Sequence, residues 1–220
     1  MVDTVRVYVN GVQVEVPRNA FVIDAVEKAG FRVPVLCYLE GLFEEATCRI
    51  CVVLVNGRVV PSCRFPVSEE AKIVTEGDEL TRYRRTNLEL LLSTHRVKCW
   101  SCIRKSNCSL LEVSKQLGIE GLPVCSECPL IGDECLITKG EPCLGPLTVA
   151  GCSAECPRYG APCVGCRGYL SDPKIWEDAT VELYRKYRVD VKEIEATMKF
   201  FWSNLPERLR EVVTKGRNHE

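Results

Sequence analysis

Residues 34–63 read PVLCYLEGLFEEATCRICVVLVNGRVVPSC, and two features of this stretch decide the fold. Its second half is a hairpin. Cys51–Val55 and Arg58–Pro61 are valine-rich runs joined by Asn56-Gly57, the dipeptide suited to a type I′ turn because both central residues need positive φ. Its first half is a loop carrying Cys37, Cys48 and Cys51, and Cys63 follows the second strand. Upstream, Val5–Val9 and Val12–Val16 alternate apolar and polar residues about Asn10-Gly11, which predicts a second hairpin. Between the hairpins, Ala20–Ala29 (AFVIDAVEKA) has helical spacing and Gly30 supplies a stop. The order strand, strand, helix, cysteine loop, strand, strand predicts a β-grasp domain over residues 1–80 of an α+β chain.

Downstream, Glu79–Thr94 predicts a helix with Leu80, Tyr83, Leu88, Leu91 and Leu92 on one face. Ser109–Leu117 predicts a second, ended by Gly118. Together they flank the His95–Cys108 loop as a small helical domain over 81–120. The segment Gly121–Gly168 is dense in Cys, Gly and Pro and nearly devoid of periodic runs. A buried apolar core is not expected there, so bound metal must contribute folding energy to a domain over 121–172. Helices over 173–220 follow: Lys174–Tyr187, Val191–Ser203 and Glu207–Lys215, with Asp172-Pro173 and Asp190 as starts and a frayed end from Gly216. Ile175, Trp176, Ala179, Leu183 and Tyr187, and then Ile194, Met198, Phe201 and Trp202, recur at helical spacing. Two readings of these faces stand: a clamp for a partner, or a cover for the chain's own cysteine-rich domain.

A net charge of -1 over 220 residues provides no global field for nucleic acid or an anionic membrane. The start MVDTVRVYVN lacks the order of a secretory signal, and the apolar runs are too short to span a bilayer. The expectation is a cytoplasmic protein, where disulfides are rare. Fifteen cysteines also cannot pair completely, so thiolate ligation of metal is the better account of them.

With one histidine, the cysteines fall into four sets of four and none is left over. The first is Cys37, Cys48, Cys51 and Cys63, spaced C-x10-C-x2-C-x11-C, a longer-looped version of the plant-type 2Fe-2S arrangement. One close pair with two singletons would also suit a structural zinc, although zinc sites usually present two close pairs. The second is His95, Cys99, Cys102 and Cys108, in which three cysteines need a fourth ligand and a neutral imidazole can supply it. The third is Cys125, Cys128, Cys135 and Cys143, and the fourth is Cys152, Cys156, Cys163 and Cys166. These last eight are divided by order along the chain, and other partitions remain open. The sequence has no G-x-G-x-x-G, no P-loop, no H-E-x-x-H and no Ser-His-Asp pattern, and its other histidine is His219 in the tail.

The motifs PVLCYLEGLFEEATCRICVV with Cys63, and HRVKCWSCIRKSNC, resemble the N-terminal iron–sulfur region of the large peripheral subunit of respiratory complex I. They resemble the small diaphorase subunit of NAD-reducing hydrogenases equally. The resemblance covers residues 1–118 and implies a 2Fe-2S cluster on the first set and a 4Fe-4S cluster on the second. CSECPLIGDECLITKGEPCLGPLTVAGCSAECPRYGAPCVGCRG, within residues 122–170, is similar to the C-terminal cluster domain of cytoplasmic NiFe hydrogenase small subunits of the sulfhydrogenase type. That similarity implies two further 4Fe-4S clusters. The flavodoxin-like half of those subunits and the ferredoxin-type repeats of the diaphorase subunit are both missing.

The expected protein is a non-catalytic electron-transfer subunit of a multi-subunit cytoplasmic oxidoreductase, with one 2Fe-2S and three 4Fe-4S clusters. Its expected partners are a flavin/NAD(P)H-binding subunit and a second redox subunit, whether a hydrogenase, a tungsten or molybdenum enzyme or a sulfur reductase. A zinc-dependent interaction module is the alternative.

Overall fold

The computed structural model describes residues 3–39, 42–198 and 204–214. The chain divides into two compact units. The first comprises Met1–His95 with Ser109–Ile119, and the second Arg96–Cys108 with Glu120–Glu220.

Both expected hairpins are present in the first unit. β1 (Thr4–Val9) pairs antiparallel with β2 (Val12–Pro17), and β5 (Val52–Val55) pairs antiparallel with β6 (Arg58–Pro61). Asn10 and Gly11 have φ of 49° and 85°, and Asn56 and Gly57 have 49° and 80°. These are the left-handed conformations that the two Asn-Gly turns require. Between the hairpins lie α1 (Val22–Lys28) and a small ribbon of β3 (Tyr38–Leu39) with β4 (Phe43–Glu44). A fifth long-sheet strand, β7 (Ala71–Val74), was not expected. Only four residues long, it pairs parallel with β1 and antiparallel with β5, giving the order β2-β1-β7-β5-β6. Four residues are too few for a period-2 signal to stand out, although Ala71 and Ile73 are buried and Lys72 and Val74 are exposed. Val5, Val7 and Val9 of β1 point with Ala71 and Ile73 into a valine-rich core closed by Val22, Ala25 and Val26 of α1.

α2 (Asp78–Thr94) and α3 (Ser109–Gln116) complete the first unit. The buried stripe of α2 is Leu80, Arg84 and Leu88, while Tyr83 and Leu91 are exposed. The expected face was therefore misjudged by part of a turn, because a buried arginine replaces an apolar residue at its centre.

The expectation that Gly121–Gly168 lacks an apolar core is overturned. Val124, Leu136, Ile137, Leu144, Leu147 and Ala154 are buried together with Ile175, Trp176, Ala179, Leu183, Ile194 and Met198 in one continuous core. The segment is short of apolar residues by itself and borrows them from the helices that follow. α4 (Glu155–Arg158) is one turn, and α5 (Pro173–Ala179) starts at Asp172, whose side chain accepts the Lys174 N–H. The expected continuation to Tyr187 changes register into a π-helical turn, Thr180–Arg185. α6 (Val191–Thr197) starts at Asp190, and α7 (Glu207–Thr214) packs on α5. The described apolar faces of α5, the π-helical turn and α6 pack inside this unit, as the covering reading expects. Phe201, Trp202 and the stretch from Lys215 onward, including His219, lie outside the described residues. Among the described residues, no helix is long and apolar enough to cross a membrane.

Candidate metal centres

The first set lies at one edge of the first unit, where Cys51 begins the turn into β5 and Cys63 follows β6. Ala46 and Arg49, neither of them glycine, adopt positive φ of 52° and 55° on either side of Cys48. The strained turn aims backbone donors at sulfur: Cys48 N–H donates to Cys37 Sγ at 3.4 Å and Ile50 N–H to Cys48 Sγ at 3.5 Å. Each of these N–H groups stabilises negative charge on the sulfur it meets. The four thiols sit in two directly interacting pairs, Cys37 with Cys48 and Cys51 with Cys63. Burial and then the Cys51 thiol push Cys63 up to about 12. At Cys37 burial also raises the thiol, but hydrogen bonds from Cys48 and Thr47 outweigh it and leave it below its usual value.

Arg84 reaches the same edge from α2. It is 6% exposed, and its Nη2 donates to Val52 O at 2.7 Å and to Thr75 O at 2.8 Å. Burial lowers its pKa, against the attraction of Cys51 and Glu76. A buried cation that the Cys51 sulfur attracts suits a site whose occupied form is negative.

The second set is divided. His95 is exposed, caps α2 and donates its backbone N–H to Leu92 O at 3.1 Å. The boundary between the units falls directly after it. Cys99, Cys102 and Cys108 belong to the second unit, where burial, followed by repulsion from Cys102 and Cys108, pushes Cys99 up to about 11.

The third set lines a single cavity. Cys125, Cys128, Cys135 and Cys143 form part of its wall, with Leu136, Ile137 and Trp100 among the remainder. Gly145 lies close against the sulfurs there: a Cβ at this residue would sit tightly at 3.2 Å from Cys125 Sγ and in ordinary contact at 3.6 Å from Cys143 Sγ, so a side chain would push on Cys125. Cys163 N–H donates to Cys143 Sγ at 3.2 Å. Burial pushes Cys143 up to about 12 and raises Cys125 well above its ordinary value.

Of the fourth set, Cys163 is raised by burial and further by the nearby Cys152 and Cys166, while Cys156, on α4, and Cys166 are exposed. Glu127 Oε2 accepts the N–H groups of Gly151 and Cys152 at 3.0 Å and 3.1 Å, which fixes the approach to this set.

Among the described residues, no three His, Cys, Asp or Glu side chains close on a point suited to one metal ion. The donors instead form pairs and cavity walls. Buried thiols that raise one another's pKa call for a positive centre, and the N–H donors aimed at sulfur call for an electron-rich one. An iron–sulfur group is both, so these donor sets fit it. Sequence reasoning missed Trp100, Lys105, Arg84 and Gly145. The first two were visible only as the residues lying between cysteines of the second set.

Comparison with known proteins agrees with this chemistry. Residues 2–78 match the 2Fe-2S iron-sulfur cluster binding domain, and residues 84–122 match the NADH-ubiquinone oxidoreductase-G iron-sulfur binding region. The chain is 36% identical over 122 residues to NADP-reducing hydrogenase subunit HndD of Solidesulfovibrio fructosivorans, covering 52% of this chain and 21% of that protein. It is 34% identical over 116 residues to the NADH-ubiquinone oxidoreductase 75 kDa subunit of Reclinomonas americana, covering 52% and 17%. It is 50% identical over 71 residues to Sulfhydrogenase 2 subunit delta of Pyrococcus furiosus, covering 30% and 29%. The chain thus spans less than a third of the length of each of these relatives. Residues 2–78 and 84–122 thus match two iron–sulfur binding regions, in a chain that also carries a stretch similar to a sulfhydrogenase delta subunit.

Proposed function

We propose that the chain is an iron–sulfur electron-transfer subunit of a multi-subunit cytoplasmic oxidoreductase. The observation that carries this reading is the gathering of thiols at the first and third sets, where backbone N–H groups donate to Cys37, Cys48 and Cys143 sulfur and one cavity wall holds Cys125, Cys128, Cys135 and Cys143. The first set, in a β-grasp domain, would hold a 2Fe-2S cluster. His95, Cys99, Cys102 and Cys108 would hold a 4Fe-4S cluster, as would Cys125, Cys128, Cys135 and Cys143, and Cys152, Cys156, Cys163 and Cys166. Bound clusters supply reversible one-electron carriage. The chain's own residues hold them through thiolates, direct amide N–H groups at sulfur and exclude water with the shared core, and these are the terms that set a cluster's potential.

The four-part division 1–80, 81–120, 121–172 and 173–220 describes the ligand sets with their covering helices. A flavin/NAD(P)H-linked subunit would meet the N-terminal part, by analogy with relatives named for NADP and NADH oxidation or reduction. A second redox catalytic subunit would meet the C-terminal part, for which the sulfhydrogenase-like stretch favours a hydrogenase.

Anaerobic purification tests the reading. One 2Fe-2S and three 4Fe-4S clusters give about 14 irons per chain with a matching amount of acid-labile sulfide. The brown chain should exchange electrons with dyes yet leave NAD(P)H and hydrogen untouched. A colourless chain with stoichiometric zinc would instead establish a zinc-dependent structural module.

A further inference from the structure

Trp100 sits between Cys99 and Cys102 in the sequence, yet it helps to line the cavity walled by Cys125, Cys128, Cys135 and Cys143. It is nine-tenths buried, and its Nε1 is enclosed without a hydrogen-bond partner. Buried polar groups are nearly always paired, so an orphaned indole N–H at a cavity is a feature to be explained. The other described tryptophan shows the normal case: Trp176 Nε1 donates to Leu170 O at 2.7 Å. Lys105, also from the second-set loop, lines the same cavity and donates from Nζ to Leu130 O at 3.4 Å. Cys99 packs against the core to which Trp100, Cys125 and Cys143 belong. All these residues lie in the second unit. The second-set loop therefore contributes both a buried hydrogen-bond donor and a cation to the wall of the third-set cavity.

We propose that Trp100 is a positioning residue that donates its indole N–H to the sulfur-bearing group held by Cys125, Cys128, Cys135 and Cys143, and so joins the second ligand set to the third. The inference rests on the iron–sulfur reading of the third set and deepens it. A donor to sulfur stabilises the more negative, reduced state, so Trp100 raises the tendency of that group to accept an electron. Because its ring is one residue from Cys99, the residue that tunes the third set is also the packed link to the second.

The test is Trp100→Phe in the full chain, purified anaerobically and titrated with EPR detection. The third-set signal is assigned by its loss in Cys135→Ala. Trp100→Phe is expected to keep its iron and sulfide while the third-set group becomes about tenfold harder to reduce, a shift of about 59 mV to lower potential for one electron. An unchanged potential with full iron overturns the proposal. If the substitution costs the third-set iron, the unmutated chain labelled with 15N at its tryptophan indoles answers the same question. A nitrogen hyperfine coupling on the signal missing from Cys135→Ala supports the proposal, and its absence overturns it. Failure of the underlying reading shows separately, as a Cys135→Ala chain whose iron content and spectrum are unchanged.

Discussion

The two units place sulfur differently with respect to their cores. In the first, the valine-rich core under the sheet contains no cysteine, and the four thiols gather at its edge beside Ile23, Ile50 and Leu88. In the second, Cys125, Cys143 and Cys163 are core members, and Cys99, Cys128, Cys135 and Cys152 pack against the same core. One unit sets its thiols against the edge of a finished sheet; the other builds its thiols into its interior. The hydrophobic driving force is separable from metal binding in the first case and entangled with it in the second.

Chelation of iron under anaerobic conditions should separate the units most sharply. Amides of β1, β5 and β7 should remain slow to exchange with solvent, while those of α5 and α6 lose their protection. Equal protection of both units after iron loss would break the comparison.

That contrast was only half legible in the sequence. The Asn-Gly turns declared their own geometry, and the cysteine spacings declared a ligand inventory. β7 stayed hidden because a four-residue strand has no period of its own. It is recognised only through β1 and β5, its neighbours in space. The core of the second unit stayed hidden for a similar reason: Leu144 and Leu147 find their partners in Trp176 and Ile194, some thirty to fifty residues later. Arg84 was missed because an arginine on a helix is normally read as solvated.

A smaller effect sharpens the comparison from within. Trp176 is fully buried, and Trp176→Ala should cost the second unit about 3–5 kcal/mol. Iron should be lost from that unit while the absorption of the first set survives. Retention of all iron would mean that the second core tolerates a cavity its sulfurs were expected to feel.

The smallest expected effect tests the attachment at the first unit. Arg84→Met removes the cation beside Cys51 and leaves the valine-rich core intact. The first-set group should become harder to reduce by roughly tenfold, about 59 mV, with the hairpins still folded. A potential that does not move would show that the buried guanidinium serves only the Val52 and Thr75 carbonyls.

The parallel pairing of Val7, Tyr8 and Val9 with Ala71, Lys72 and Ile73 also sets an order of events. Cys37, Cys48, Cys51 and Cys63 all leave the ribosome before β7 does, and chain ends so distant in sequence pair slowly. Until β7 docks, nothing in the sheet joins the β1–β2 hairpin to the β5–β6 hairpin that Cys51 and Cys63 flank. One inconspicuous four-residue strand therefore holds the two halves of the sheet together, and the edge that carries the first set is complete only when the last-made strand is in place.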